Sequence, residues 1–265
     1  MRASLLLSLL LTSDISRSFA LKNGNRAMTT MHRSYEAAKR RTLREAASGS
    51  IEPTDLFSNW AETGRDEIMA AGHNEAVTEM LKELEPHLPA SSPYRVLDLG
   101  CGNGWVARRM ISKDLCIYSI GVDGAAEMIK KAKAMEEKEG TGAEFTMANI
   151  IDFSPERPCD VVFSMEVLYY LREDEVKSLL RRLNTESEIL SEGGLFVLGL
   201  DHFEENEDCH GWADLNNTRM LLWSEHKWKS ELEAAGFDIV KAWRAAPGRP
   251  DIKSGTLAFI CRSRS

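Results

Sequence analysis

The stretch VLDLGCGNGW, residues 96–105, sets Asp98 two positions ahead of a glycine and then repeats glycine at every second place: Gly100, Gly102 and Gly104. Glycines so spaced let a backbone turn sharply and approach a ligand closely. A dinucleotide-binding turn would read G-x-G-x-x-G and seat a pyrophosphate on the next helix. Here the spacing is G-x-G-x-G and an acid stands beside it. A carboxylate repels phosphate and attracts ammonium, so this turn suits a ligand with positive charge and no phosphate. Asp123 closes the apolar run CIYSIGVD, and an acid there can accept both hydroxyls of a ribose. Asn149 follows AEFTMA, and its amide can hydrogen-bond an adenine edge. Glycine turn, ribose acid and adenine-reading amide describe a nucleoside with a cationic amino-acid tail. Plainer duties remain open: the glycines as a bare turn, Asp123 as a helix cap, Asn149 as a turn residue.

Elements must bring these residues to one edge. YRVLDLG, CIYSIGVD, AEFTMANI and CDVVFSMEVLYYL read as strands, each followed by a turn or helix. Strands apolar on both faces belong to a parallel sheet covered on both sides. WVARRMIS, GAAEMIKKAKAMEEKEG and EDEVKSLLRRLNTESEIL read as the intervening helices, and GGLFVLGLDHF as a fifth strand launched by a glycine pair. SEHKWKSELEAAGF is a helix with Ser224 as its cap and a stop at Gly236. FDIVKAWRA and GTLAFICRS are final strands whose short connection predicts antiparallel pairing. Ahead of the sheet, residues 55–88 are helical, with Met69, Val77, Leu81 and Leu84 near helical spacing. The alternation predicts a doubly wound α/β domain over residues 51–265.

In this order the motifs resemble those of the class I S-adenosylmethionine-dependent methyltransferases. VLDLGCGNG resembles the family's first motif, IGVDGAAEMIKKAK its second, FTMANIID its third, CDVVFSMEVLYYL its fourth and LSEGGLFVLG its fifth. The family more often carries an acid where Asn149 stands. NWAETGRDEIMAAGH is similar to the N-terminal helix of many small-molecule methyltransferases. The resemblance implies a Rossmann-like, doubly wound seven-stranded sheet, mostly parallel with the last strand antiparallel and helices on both faces. It implies S-adenosyl-L-methionine as cofactor, held by Asp98, Gly100, Gly102, Gly104, Asp123, Gly124, Asn149, Ile150 and Met165.

Methyl transfer is an in-line displacement, so the protein supplies mainly proximity and a dry site. The acceptor belongs beyond the ends of the fourth and fifth strands, where Glu166, Tyr169, Tyr170, Asp201, His202 and Phe203 stand. His202 is the first candidate base and Glu166 the second, or a contact for a cationic acceptor. Each has a plainer reading as a loop residue that orients its neighbours. Residues 203–223 are too long and mixed for a connector and read as a substrate lid. His210 and Trp212 would face the acceptor, with Trp60 and Trp105 as further aromatic walls. Trp223 and Trp228 bracket an amphipathic helix and read as core. No metal site is expected, since the adjacent Asp208, Cys209 and His210 cannot all turn inward from one short loop. Three rival readings stand beside the small-molecule enzyme: a binding protein of the same fold without catalysis, a methyltransferase acting on protein or nucleic acid, and an oxidoreductase, which the missing G-x-G-x-x-G disfavours.

The chain of 265 residues carries a net charge of -8, which disfavours a nucleic-acid-binding surface and points to a small-molecule acceptor. Its 5 cysteines are odd in number and scattered, against a disulfide framework or structural zinc. Residues 1–20 have a basic start, an apolar run over residues 5–11 and small residues at a cleavage-like site, as a signal peptide does. Residues 21–50 are basic and hydroxyl-rich, like a transit peptide. Together they resemble the two-part leader of plastid proteins in algae with secondary plastids; the alternatives are a cytoplasmic protein starting at Met28 or one in the secretory pathway. No membrane span is expected after the leader. The sequence leaves the oligomeric state open.

Overall fold

The structure is a computed structural model and describes residues 50–186, 188–246 and 255–264. The expected leader, apart from Ser50, lies outside the described residues. Two helices come first, α1 (Pro53–Thr63) and α2 (Arg65–Leu84), separated at Gly64, whose φ of 75° breaks the run. The sheet strands are β1 (Tyr94–Leu99), β2 (Cys116–Asp123), β3 (Glu144–Met147), β4 (Cys159–Met165), β5 (Leu190–Leu200), β6 (Phe237–Ala245) and β7 (Thr256–Ser263). Helices α3 (Trp105–Ile111), α4 (Ala126–Glu139) and α5 (Glu173–Thr185) connect the first five strands. A short helix α6 (Trp212–Asn216) and then α7 (Glu225–Ala234) precede β6.

The seven strands lie in the order β3-β2-β1-β4-β5-β7-β6. Strands β1 to β5 pair in parallel, and β7 runs antiparallel to both β5 and β6. This is the doubly wound sheet expected, with the expected antiparallel last strand. Its alternate residues feed two layers. On β5, Phe196, Leu198 and Leu200 pack against α5 and α7, while Leu195 and Val197 pack against α2 and α3. Both faces are covered, which is why these strands read as continuous apolar runs. Trp223 and Trp228 meet edge-on at 4.6 Å inside the first layer, as core.

The glycine pair does not launch β5. The strand starts at Leu190, and the pairing jumps from Cys159–Leu190 to Val161–Leu195. The extra residues form a bulge with Gly193 at φ 68°, a conformation glycine takes without a side-chain penalty. The helix cap at Ser224 is present: its hydroxyl accepts from the Lys227 N–H at 3.2 Å. The strand order reverses between β1 and β4, and the crevice at such a reversal is where open α/β sheets hold ligands. No helix among the described residues is long and apolar enough to cross a membrane.

Candidate active site

A cleft of about 770 Å³ opens at the carboxyl ends of β1, β2 and β4. Asp98, Gly100, Gly102, Asp123, Gly124, Asn149, Ile150 and Met165 all line it. The alternating glycines, legible as one cradle in the sequence, have three separate duties. A Cβ on Gly100 would stand 2.2 Å from Val167 Cγ2, and one on Gly104 2.2 Å from the Phe145 ring. Those two glycines permit protein packing, and Gly104 does not line the cleft. At Gly102 a Cβ would meet only Met128 Sδ, at 4.0 Å, so the open side of the turn is there. All three have positive φ.

The turn is held from both sides. The Gly102 N–H donates to Asp123 Oδ2 at 2.9 Å and the Ala125 N–H to Asp123 Oδ1 at 2.8 Å. Asp123 therefore ties the glycine turn and the start of α4, and each oxygen keeps acceptor capacity toward the cleft. Asn103 donates to Asp66 Oδ2 at 2.8 Å, and Asp66 Oδ1 receives Lys131 Nζ at 2.8 Å. Asp66 sits in the first turn of α2, in a stripe with Met69, Ala70 and His73 that continues as the core residues Val77, Met80 and Leu84. One helix face thus serves the cleft at its start and the core at its end.

Asp98 is 2% exposed, and its Oδ2 has no hydrogen-bond partner. Burial and the neighbouring charge of Asp123 push its carboxyl up to about 7. A buried carboxylate oxygen without a donor, beside an open glycine turn, fits an ammonium group. Asn149 is exposed at the cleft edge. Its Oδ1 accepts the Ile151 N–H at 3.1 Å and its Nδ2 reaches Asp152 at 3.3 Å, a side-chain turn of the plainer kind.

The far end of the cleft is acidic and aromatic. Glu166 follows β4 with φ 61°, in the left-handed region, and its carboxylate accepts from the Tyr169 hydroxyl. Glu166 Oε1 is buried with no partner. Asp201 follows β5; it accepts from Thr256 Oγ1 at 2.6 Å and lies 3.3 Å from His73 Nε2. Burial and the charge of Asp201 hold the Glu166 carboxyl well above the usual range. Burial acts on Asp201 in the same direction, but the bonds and charge of His73 outweigh it and hold Asp201 below the usual range.

His202 lines the cleft at 4% exposed, against the Tyr169 ring. Burial pushes its imidazole down to about 4, so it is neutral near pH 7 and a weak base. Trp60, Tyr169, Tyr170 and Trp212 line the cleft as well. The Trp212 indole N–H points at the Tyr170 hydroxyl at 3.4 Å, and the Arg65 guanidinium lies 4.2 Å from the Trp60 ring centre. His210 does not line the cleft: its Nε2 is 2.9 Å from the Glu204 carbonyl, whereas Asp208 and Cys209 of the preceding 3-10 turn do line it.

Residues 203–223 contribute Asn206, Trp212 and Arg219 to the lining of the cleft and are tied to the body by hydrogen bonds. Thr218 bridges to Ile51, with the Ile51 N–H on the Asn217 carbonyl at 2.8 Å, and the Leu221 N–H reaches the Tyr169 carbonyl at 2.6 Å. Within this segment Arg219 lines the cleft with its Nε buried and unpartnered. Asp66 and His73 lie in the segment that resembles the family's N-terminal helix, but spacing does not single out their roles or that of Arg219. A histidine in a helix and an arginine in a loop acquire meaning only from what they face.

Known proteins agree with this geometry. The family described as a methyltransferase domain matches residues 66–242, about two thirds of the chain. A trans-aconitate 2-methyltransferase of Pseudomonas paraeruginosa is 29% identical over 187 residues, 69% of this chain and 54% of that protein. The chain spans about half the length of the curated relatives it matches. Among solved structures, the methyltransferase bound to the Haloferax volcanii Trm112 activator superimposes with a TM-score of 0.66, at 23% identity, over 83% of this chain and 100% of that one. The DhpI–SAH complex gives 0.58 at 19% identity, over 82% and 98%. At such identities these two likenesses speak for the fold. With the family match spanning the glycine turn, Asp123 and the ends of β4 and β5, the chain belongs to the class I methyltransferase domain family, whose cofactor is S-adenosylmethionine.

Proposed function

We propose that this protein transfers a methyl group from S-adenosylmethionine to a small-molecule acceptor that bears a carboxylate. The carrying observation is the cleft with a buried, unpartnered arginine nitrogen in its wall. Clefts of roughly 300–1,000 Å³ hold one drug-sized ligand. At about 770 Å³ the cleft lies toward the upper end of that range, with room for the cofactor and a small acceptor beside it. Bound there, the cofactor supplies a methyl group on an activated sulfonium leaving group.

The chain's own residues do the rest. Asp98 takes the ammonium of the tail, Asp123 the ribose hydroxyls, and Gly102 leaves the space between them. Asn149, Ile150 and Met165 border the adenine and methionine portions. Arg219 gives a carboxylate its counter-charge, and a planar guanidinium suits that geometry. Trp60, Tyr170 and Trp212 wall the acceptor and exclude water. A carboxylate nucleophile brings no proton to remove, so a neutral His202 orients rather than deprotonates. The trans-aconitate relatives, named for a carboxylate acceptor, support the same class.

Labelled S-adenosylmethionine offered with trans-aconitate, other di- and tricarboxylates, amines and thioethers tests the reading. We expect a base-labile methyl ester and, for Arg219→Met, a KM raised about 10- to 100-fold, the scale of a lost charged hydrogen bond. Methylation of amines or thioethers alone would overturn it. We also propose that residues 1–50 address the protein to a plastid. A fluorescent fusion of residues 1–50 should enter the plastid of an alga with secondary plastids, and one lacking residues 1–20 should stay in the cytosol. Cytosolic fluorescence from the intact leader favours Met28 as the start.

A further inference from the structure

We infer that His73, Glu166 and Asp201 form a binding site for one divalent transition-metal cation, of the Mn²⁺ or Zn²⁺ kind, at the acceptor end of the cleft. Three separate elements bring these groups together: α2, the end of β4 and the end of β5. One possible ligand atom from each lies within 4.8 Å of the others. Metal–ligand bonds of about 2.0–2.2 Å place neighbouring ligands roughly 3–4 Å apart, so side-chain movements of about 1–2 Å close the set.

The surroundings are those of held ligands. Each carboxylate has one oxygen tied by a hydroxyl, Glu166 by Tyr169 and Asp201 by Thr256 at 2.6 Å. On Glu166 the second oxygen is left over, and on Asp201 it is held by His73. Glu166 Oε1 is buried with no donor, and Asp201 Oδ2 faces the His73 ring nitrogen at 3.3 Å. Hydroxyl donors that fix one oxygen and leave the other outward are how outer groups orient metal-binding carboxylates. The left-handed backbone at Glu166 turns this side chain into place, at the usual cost of a non-glycine residue in that region.

Two carboxylates meeting at the edge of a low-dielectric cleft repel each other, and a divalent cation removes the repulsion. One imidazole and two carboxylates favour Mn²⁺ or Zn²⁺ over Mg²⁺, which prefers oxygen alone. Three protein ligands leave positions open to the cleft, where an acceptor oxygen can complete the shell. The cation would then let an anionic acceptor approach Glu166 and Asp201.

The experiment uses the full chain, stripped with chelator and desalted, and titrates Mn²⁺ alone by calorimetry and electron paramagnetic resonance. We expect one Mn²⁺ per chain and at least a tenfold weaker site in both Glu166→Gln and His73→Asn, with cofactor titration run alongside to show that the variants are folded. Should the variants fail to fold, Zn²⁺ added to the unaltered protein should shift the His73 ring resonances at one equivalent. A protein that takes up no Mn²⁺ or Zn²⁺ specifically, or whose uptake is the same in both variants, would overturn the site and leave the trio as a hydrogen-bonded clasp between α2 and the sheet. These readouts need no turnover, so they stand apart from the identity of the acceptor.

Discussion

Gly102→Val should weaken cofactor binding more than 100-fold, about 3 kcal/mol, while the protein keeps its fold. The nearest protein atom to a Cβ at Gly102 is Met128 Sδ at 4.0 Å, so a valine there extends into open space and fills the path of the cofactor's tail. The left-handed φ of 53° adds roughly 1–2 kcal/mol of local strain, which a domain of this size can absorb. Gly100→Ala should behave in the opposite way. Its Cβ would lie 2.2 Å from Val167 Cγ2, and overpacking of that kind costs about 1–3 kcal/mol on top of the strain at φ 72°. Thermal unfolding and S-adenosylhomocysteine titration on both variants separate the cases. Wild-type affinity in Gly102→Val would show that the turn faces no ligand.

The second large effect belongs to Asp98. Asp98→Asn should cost about 2–3 kcal/mol of cofactor affinity at pH 8, the scale of a hydrogen bond between charged groups. The same change should relieve the cofactor-free protein. In the folded chain the carboxyl is raised to about 7 from 3.8, so the fold binds this proton more tightly than the unfolded chain does. Its contribution to stability is whole below the unfolded value and is lost as pH rises through about 7, a change of a few kcal/mol. Unfolding midpoints of the cofactor-free protein should therefore decline between pH 4 and 8, less so in Asp98→Asn. Binding has the opposite dependence. Ammonium takes the ionised carboxylate, so wild-type affinity should fall up to tenfold per pH unit below about 7. A cofactor affinity indifferent to both the substitution and pH would remove Asp98 from the tail's site.

Much of this was legible because it is local. The period of the apolar residues, the Ser224 cap and the order of the motifs are written within short stretches, and they determined the sheet, its antiparallel last strand and the cofactor edge. Asp98, Gly102 and Asp123 could be placed together because they stand at or just past the ends of strands that share one rim. The glycine pair before Leu195 misled for the same reason: as punctuation it reads as a start, whereas a bulge depends on the partner strand.

What only the tertiary structure decided concerns partners distant in sequence. Gly100 and Gly104 have different duties because Val167 and Phe145 pack against them, which spacing cannot show. His73 reaches Asp201 because the first half of α2 overhangs the cleft, though its residues look like any helix face. His202 reads as a base from its type alone, but burial lowers its pKa to about 4, and burial is a property of everything packed around it. His210 and Arg219 lie in the same segment, and the stitching at Thr218 and Leu221 accompanies Arg219 inside while His210 stays out. Sequence periodicity sets which face of an element is apolar; the polar contacts at its ends are set by whichever other element arrives there.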